Sequence, residues 1–421
     1  MTKPVVIFAA PPAQGHTTHL LPHAAYVSRH SYPVFFIAGP QFEGPITRTG
    51  ATFVPTENTW SPDVVASAAA VPEGHTPFLW EQRRLFLDGT RPCMKSLKDL
   101  LERVRVEFPE KDVVIVEEML FMGSWPFKLG APLPKGYSSF PRVISMSSIP
   151  VWVTSVDTAP FGPGIPPDAA PAGHERNARL YAEMEDEHDA LTAHANTVYT
   201  SLGATQKLEM TRTNGIKRTM FDAWASRGDV LLHPCPPSLE YRRSDMPGNI
   251  AFIGPAPRPP LDPSTPLPSW FRDLKANSES AVPKKVVFVT QGTVEGDTGN
   301  LVKPTILGLA DRKDVLVVAV LGVKGAKLTF NVPGNARVVD YLAYHAVLPF
   351  ADVFVSNGGY GGFMQAIMYG VPMVLAGTTR KLDPLYLFDP GSPMFFLVFI
   401  PLSDLHRCFT SLAPLLPFTI S

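Results

Sequence analysis

Short runs of β-branched and aromatic residues alternate with longer amphipathic stretches along most of this 421-residue chain. A run of that kind is apolar on both faces, so it must be covered twice, which parallel strands joined by crossover helices accomplish. The strand-like runs are 4–10, 33–38, 112–116, 142–146, 229–232 and 249–253, then 285–293, 314–321, 336–342, 352–357 and 371–377. Residues 17–30, 79–106 and 174–196 carry the clearest helical spacing between them. The pattern predicts an α/β chain with two doubly wound, Rossmann-like parallel-sheet domains. In such sheets ligands bind beyond the carboxyl ends of the strands, so the chemistry is expected in the residues that follow each strand.

The length suits two domains with separate cores. Forty-five prolines, about twice ordinary usage, fall in clusters, and the stretch "GPAPRPPLDPSTPLPSW" reads as a semi-rigid connection. The expected division is residues 1–254, a proline-rich linker at 255–270, a second domain at 271–379 and an atypical tail at 380–421. Lys and Arg total 37 and Asp and Glu total 38, so no net field favours nucleic acid or an anionic bilayer, and small-molecule partners are expected. Cys93, Cys235 and Cys408 lack metal-ligand or paired spacing. Without a leader-like segment before "VVIFAA" or an apolar run long enough to span a bilayer, a cytoplasmic protein is expected.

The strongest local motif is "SNGGYGGFMQAIMYG", which follows the apolar strand "DVFVS" and opens a helix. Gly358, Gly359, Gly361 and Gly362 let the backbone turn tightly and approach a ligand closely. The helix amino terminus adds unpaired N–H groups and a partial positive charge, which together favour a diphosphate. Gln365, one turn in, is within reach of a ribose hydroxyl. A second strand-to-loop step, "VTQGT", places Gly292 and Thr293 for the same phosphates. A tight structural turn is the bland reading of the glycines alone.

Extended to "YLAYHAVLPFADVFVSNGGYGGFMQAIMYGVPMVLAGTT", this segment resembles the donor-binding signature of the UDP-glycosyltransferase superfamily, as found in sterol and macrolide glycosyltransferases. The resemblance is densest at 5–25 and 285–379 and looser between them. It implies a GT-B fold, two Rossmann-like domains facing a cleft, with Tyr341 stacking on uracil and Asn357 and the glycines holding the diphosphate. The opening loop "AAPPAQGHTTHLLP" is similar to the one carrying the family's catalytic base, which falls on His16.

A histidine suits that task, since an acceptor hydroxyl must lose its proton near neutral pH. A merely polar loop histidine is the alternative, and His19, His23 and His30 are expected to face solvent. The resemblance also implies a carboxylate that orients the base, matched by "VIVEEMLF"; Glu118 is the choice and Glu117 the runner-up. The implied reaction is inverting transfer from a UDP-sugar to a hydroxyl of a small lipophilic acceptor, with no metal. Asn357, Gly362 and Gln365 stand where many members have histidine, serine and glutamate, and Ala343 and Tyr344 replace a Pro-Gln pair. After Thr379 the family's sugar-binding acidic pair is missing, with Asp383 and Asp389 as substitutes, and prolines interrupt the sequence. The tail is therefore expected to be an altered ending, from a shifted frame or retained intron, that leaves the second domain incomplete. Two further readings follow: a catalytically impaired UDP-binding relative acting as partner or regulator, and a sugar-nucleotide epimerase.

Overall fold

A computed structural model describes residues 3–60, 62–67, 71, 76–161, 165–226, 228–258, 261, 265–292, 297–376 and 398–400. The chain parts into two compact units between Ala256 and Pro257.

The first unit is built on seven parallel strands: β1 (Val5–Ala9), β2 (Val34–Ala38), β3 (Thr52–Pro55), β4 (Val113–Glu118), β5 (Arg142–Met146), β8 (Val230–His233) and β9 (Ile250–Phe252). The short strands β6 (Arg212–Thr213) and β7 (Ile216–Lys217) pair separately as a hairpin. The sheet order is β3-β2-β1-β4-β5-β8-β9, so the order reverses between β1 and β4. Their pairing runs Val5↔Val113 to Ala9↔Glu117, which brings both carboxyl ends to one edge of the sheet.

Alternation along the strands divides the side chains between two cores. Val6, Phe8, Val34, Phe36, Val116 and Met146 pack on one face with Leu20 and Ala24, from the segment after β1. Val5, Ile7, Val113, Ile115 and Val143 pack on the other face with Leu97, Leu100 and Leu101 of the helix Thr90–Glu107. Such double burial explains why β1 and β2 are apolar at every position.

The expected helices exist but are broken. Residues 17–30 become Gln14–Thr18 and Leu21–Arg29, the second opening with Pro22 in its first turn. Residues 79–106 become Thr76–Glu81, a π-helical turn at Gln82–Leu87, and Thr90–Glu107. Residues 174–196 become Pro171–Glu183 and Glu185–Ser201. Strand β3, half-buried in its middle and exposed at both ends, had no counterpart among the expected strands.

The second unit repeats the grammar with β10 (Lys285–Thr290), β11 (Val315–Val320), β12 (Ala336–Val339), β13 (Val353–Ser356), β14 (Met373–Ala376) and β15 (Val398–Ile400). The order β12-β11-β10-β13-β14-β15 reverses between β10 and β13. Within the 380–421 tail, β15 pairs with β14, Val374 opposite Val398. Asp383, Asp389 and the rest of 380–421 apart from β15 lie outside the described residues.

Candidate active site

His16 lies in the helix Gln14–Thr18, directly beyond β1, and Glu118 is the last residue of β4. The reversal of strand order brings them together: His16 Nδ1 is 3.1 Å from Glu118 Oε1. The carboxylate is fully buried and the imidazole 16 % exposed. Glu118 Oε2 accepts the Leu120 amide at 3.0 Å, so both oxygens are engaged.

Strand alternation separates the two glutamates. Glu118 shares the face of Val116, on which the segment after β1 packs, whereas Glu117 shares the face of Ile115. There Glu117 accepts Lys128 Nζ at 2.7 Å and Ser145 Oγ at 3.5 Å, with both ionic side chains nearly buried. Glu117 therefore makes a structural ion pair away from His16.

Ser148, which the sequence reading passed over, completes the first site. Its hydroxyl donates to Glu118 Oε1 at 2.7 Å and lies 3.0 Å from His16 Nδ1. A small residue after a strand carries no motif signal; only the parity with Met146, two residues earlier on the same face, points toward Glu118. Phe86 and Trp60 stand steeply inclined to the imidazole, with ring centroids 5.3 and 6.4 Å from it and interplanar angles of 69° and 71°. Trp60 is fixed by a bond from Nε1 to Leu85 O at 2.8 Å, and Phe86 stands on the π-helical turn, a local widening often found at functional sites.

The neighbouring histidines correct an expectation. His30 is exposed, but both ring nitrogens of His19 are shielded from solvent and have no hydrogen-bond partner among the described residues. Burial pushes His19 down to about 4; the Glu118 charge partly opposes that shift, and His23 and His16 add to it. His23 is half-buried and also lowered by burial.

The glycine-rich site lies at the carboxyl edge of the second sheet. Gly292 follows β10 with φ +79°, and Gly358 follows β13 with φ +83°. Both are left-handed conformations that favour glycine. Asn357 Nδ2 donates to Gln291 O at 2.8 Å, tying the two strand ends together, while Gln291 Oε1 accepts the Val302 amide. Gly359 caps the helix Tyr360–Tyr369 without a side-chain bond. The first-turn amides of Gly361 and Gly362 have no acceptor within the helix, which is the arrangement that attracts anions. A Cβ on Gly361 would meet nothing within 4 Å, and one on Gly362 would touch Phe354 and Tyr344 at ordinary contact distance.

Tyr341 is exposed just past β12, with Lys324 Nζ 5.5 Å from its ring centroid. The Asp340 carboxylate accepts the Gly325 and Tyr341 amides at 2.6 and 2.8 Å, which fixes the approach of these two loops. Those amide bonds hold Asp340 below the usual carboxylate range. Gln365 is half-buried one turn into the helix, and Thr293 lies outside the described residues. Tyr344, in place of the family's glutamine, is half-buried against Phe288, and its hydroxyl meets Thr290 Oγ1 at 3.2 Å. Among the described residues, no three His, Cys, Asp or Glu side chains gather as metal ligands. None of the described helices is long and apolar enough to cross a membrane.

Comparisons with known proteins identify the family and the fold. Residues 305–382 match the family model of the erythromycin biosynthesis protein CIII-like C-terminal domain. The chain is similar to UDP-glucosyltransferase 1 of Beauveria bassiana, with 40 % identity over 88 % of this chain and 79 % of that protein. UDP-glucosyltransferase B1 of Starmerella bombicola is 31 % identical over 89 % of this chain and 82 % of its own length. Among solved structures, the glycotransferase of kitacinnamycin superposes with a TM-score of 0.60 at 18 % identity, covering 98 % of this chain and 91 % of that one. Spinosyn forosaminyltransferase SpnP gives 0.58, also at 18 % identity, covering 99 % and 91 %. The fold is that of the GT-B glycosyltransferases, with two doubly wound Rossmann-like domains. On the sequence relationship, the chain belongs to the UDP-glycosyltransferase superfamily, and it is a glycosyltransferase.

Proposed function

We propose that this enzyme transfers a sugar from a UDP-sugar to a hydroxyl of a small lipophilic acceptor, with inversion at the anomeric carbon and His16 as general base. The observation that carries the reading is the pairing of His16 Nδ1 with the fully buried Glu118 carboxylate at the switch point of the first sheet. Because Nδ1 faces the carboxylate, Nε2 is the nitrogen that takes the acceptor proton. The acceptor oxygen then bonds to the anomeric carbon while the bond to the β-phosphate oxygen breaks, and UDP leaves with that electron pair. The carboxylate orients the imidazole and stabilises the imidazolium as it forms.

The departing diphosphate is held by the amides of Gly361 and Gly362, with Gly292, Gly358, Gly359 and Asn357 shaping the cradle. Fixed amide donors of this kind remove the need for a metal. Tyr341 stacks on the base and Gln365 bonds the ribose. The names of the fungal relatives support glucose as the donated sugar. The buried Cys93 thiol suits a reducing compartment such as the cytoplasm.

The test is UDP release from UDP-glucose over a panel of hydroxylated lipophilic acceptors, with and without EDTA. His16→Ala is expected to lose about 10³-fold in kcat while keeping its affinity for UDP. Full turnover by that variant would overturn the assignment of the base, and loss of activity in EDTA restored by magnesium would overturn the metal-free reading.

A further inference from the structure

We propose that Ser148 is a positioning residue for this reaction: its hydroxyl closes a three-way hydrogen-bonded ring with His16 and Glu118 that fixes the imidazole tautomer. The inference rests on His16 being the base and assigns to Ser148 the task of keeping that base in its reactive form.

The ring is geometrically complete. Ser148 Oγ is 2.7 Å from Glu118 Oε1 and 3.0 Å from His16 Nδ1, and Nδ1 is 3.1 Å from the same Oε1. A hydroxyl has one hydrogen to give, while an ionised carboxylate can only accept. The serine hydrogen therefore goes to Oε1, and Oγ turns a lone pair toward Nδ1. Nδ1 then faces two acceptors and must carry the proton, so the lone pair of the neutral ring resides on Nε2. The opposite tautomer would set a bare Nδ1 lone pair against Oε1 at 3.1 Å with no hydrogen between them.

Glutamate makes this constraint necessary. It has one more rotatable bond than the aspartate usual in the superfamily, so its carboxylate needs more fixing to present one oxygen to the imidazole. The Leu120 amide holds Oε2 and Ser148 holds Oε1, so each oxygen has its own anchor. Residues 147–151 are themselves fixed. The Ser147 amide extends the β5–β8 pairing by donating to Leu232 O at 2.9 Å. Ser147 Oγ turns back to Ile149 O at 2.5 Å, and Arg243, paired in the interior with Glu240, donates to Val151 O at 3.0 Å. Ser148 thus stands between two anchored peptides, and its hydroxyl position is set by the scaffold.

The experiment compares Ser148→Ala, Ser148→Thr and Ser148→Cys in the full chain. Steady-state kinetics give kcat and KM, and long-range nitrogen–proton NMR of labelled histidine reports the His16 tautomer. The expected result for Ser148→Ala is a fall in kcat of about tenfold with KM for donor and acceptor little changed. Its His16 spectrum should show mixed tautomers, and threonine should recover most of both. Ser148→Cys, of similar volume but a weak donor, should fall between them, and it reports the same effect if the alanine variant does not fold. Unchanged kcat or an unchanged His16 spectrum in folded Ser148→Ala or Ser148→Cys would overturn the proposal. The tautomer spectrum does not depend on turnover, so it separates failure of this inference from failure of His16 as base, which His16→Ala reports.

Discussion

Asn357 donates from its side-chain amide to the carbonyl of Gln291 at 2.8 Å, joining the loops that leave the two central strands of the second sheet. By the superfamily resemblance, many members have a phosphate-contacting histidine at that position. Here one amide hydrogen is committed to holding the two loops in register. Asn357→Ala should therefore weaken UDP binding by about tenfold, the worth of one hydrogen bond together with lost order in the cradle. Calorimetric titration with UDP checks this. Unaltered affinity would mean that the cradle is held by its backbone alone.

The consecutive glutamates should separate cleanly when each is neutralised. Glu118→Gln should reduce kcat about 100-fold with little change in thermal stability, because it removes the charge that stabilises the imidazolium. Glu117→Gln should act on the fold, costing about 3 kcal/mol in denaturant unfolding by leaving Lys128 nearly buried beside a neutral partner. Turnover per folded molecule should persist in that variant. The reverse pattern would reassign the two residues.

Acid should destabilise the fold through histidines kept neutral in the interior. Burial lowers His19 and His188 from 6.5 to about 4, with nearby Glu118 opposing the shift for His19 and Asp222 and Asp189 opposing it for His188. Between those values the unfolded chain binds protons that the native chain does not. The stability is thus fully present above about pH 6.5 and is lost as pH falls toward 4, by on the order of 3 kcal/mol per histidine. Denaturant unfolding of His188→Phe across this range should show a shallower slope. A slope identical to that of the parent would exclude His188 as a contributor.

The glycines of the cradle should divide by conformation. Gly358→Ala places a side chain at φ +83° and should cost about 1–2 kcal/mol of stability as well as UDP affinity. Gly361→Ala, where a Cβ meets nothing within 4 Å, should leave the thermal midpoint unchanged while still lowering UDP affinity. If Gly361→Ala binds UDP as the parent does, the diphosphate does not approach that turn.

Much of the fold was legible because parallel strands buried on two faces can be little other than apolar: β1, β2, β10 and β11 announce themselves, whereas β3, only partly buried, does not. Helix ends were less legible. Pro22 and Gly89 interrupt runs whose apolar spacing continues past them, and the π-helical turn at Gln82–Leu87 leaves no mark on the pattern. The inward turn of His19 was missed because short helices beside a sheet edge bury residues that spacing alone assigns to solvent.

By itself the sequence determined the two doubly wound domains, the glycine turns after β10 and β13, and His16 as a histidine just beyond the first strand, though in a short helix rather than the expected loop. Those are local properties: apolar runs, left-handed backbone, and position after a strand. Only the tertiary structure decided that Glu118 meets His16 while Glu117 turns to Lys128, since that depends on which sheet face the segment after β1 covers. It also brought in Ser148, 132 residues from His16 and 30 from Glu118. A parallel sheet gathers the carboxyl ends of strands far apart in the chain, so no local spacing can carry that triangle.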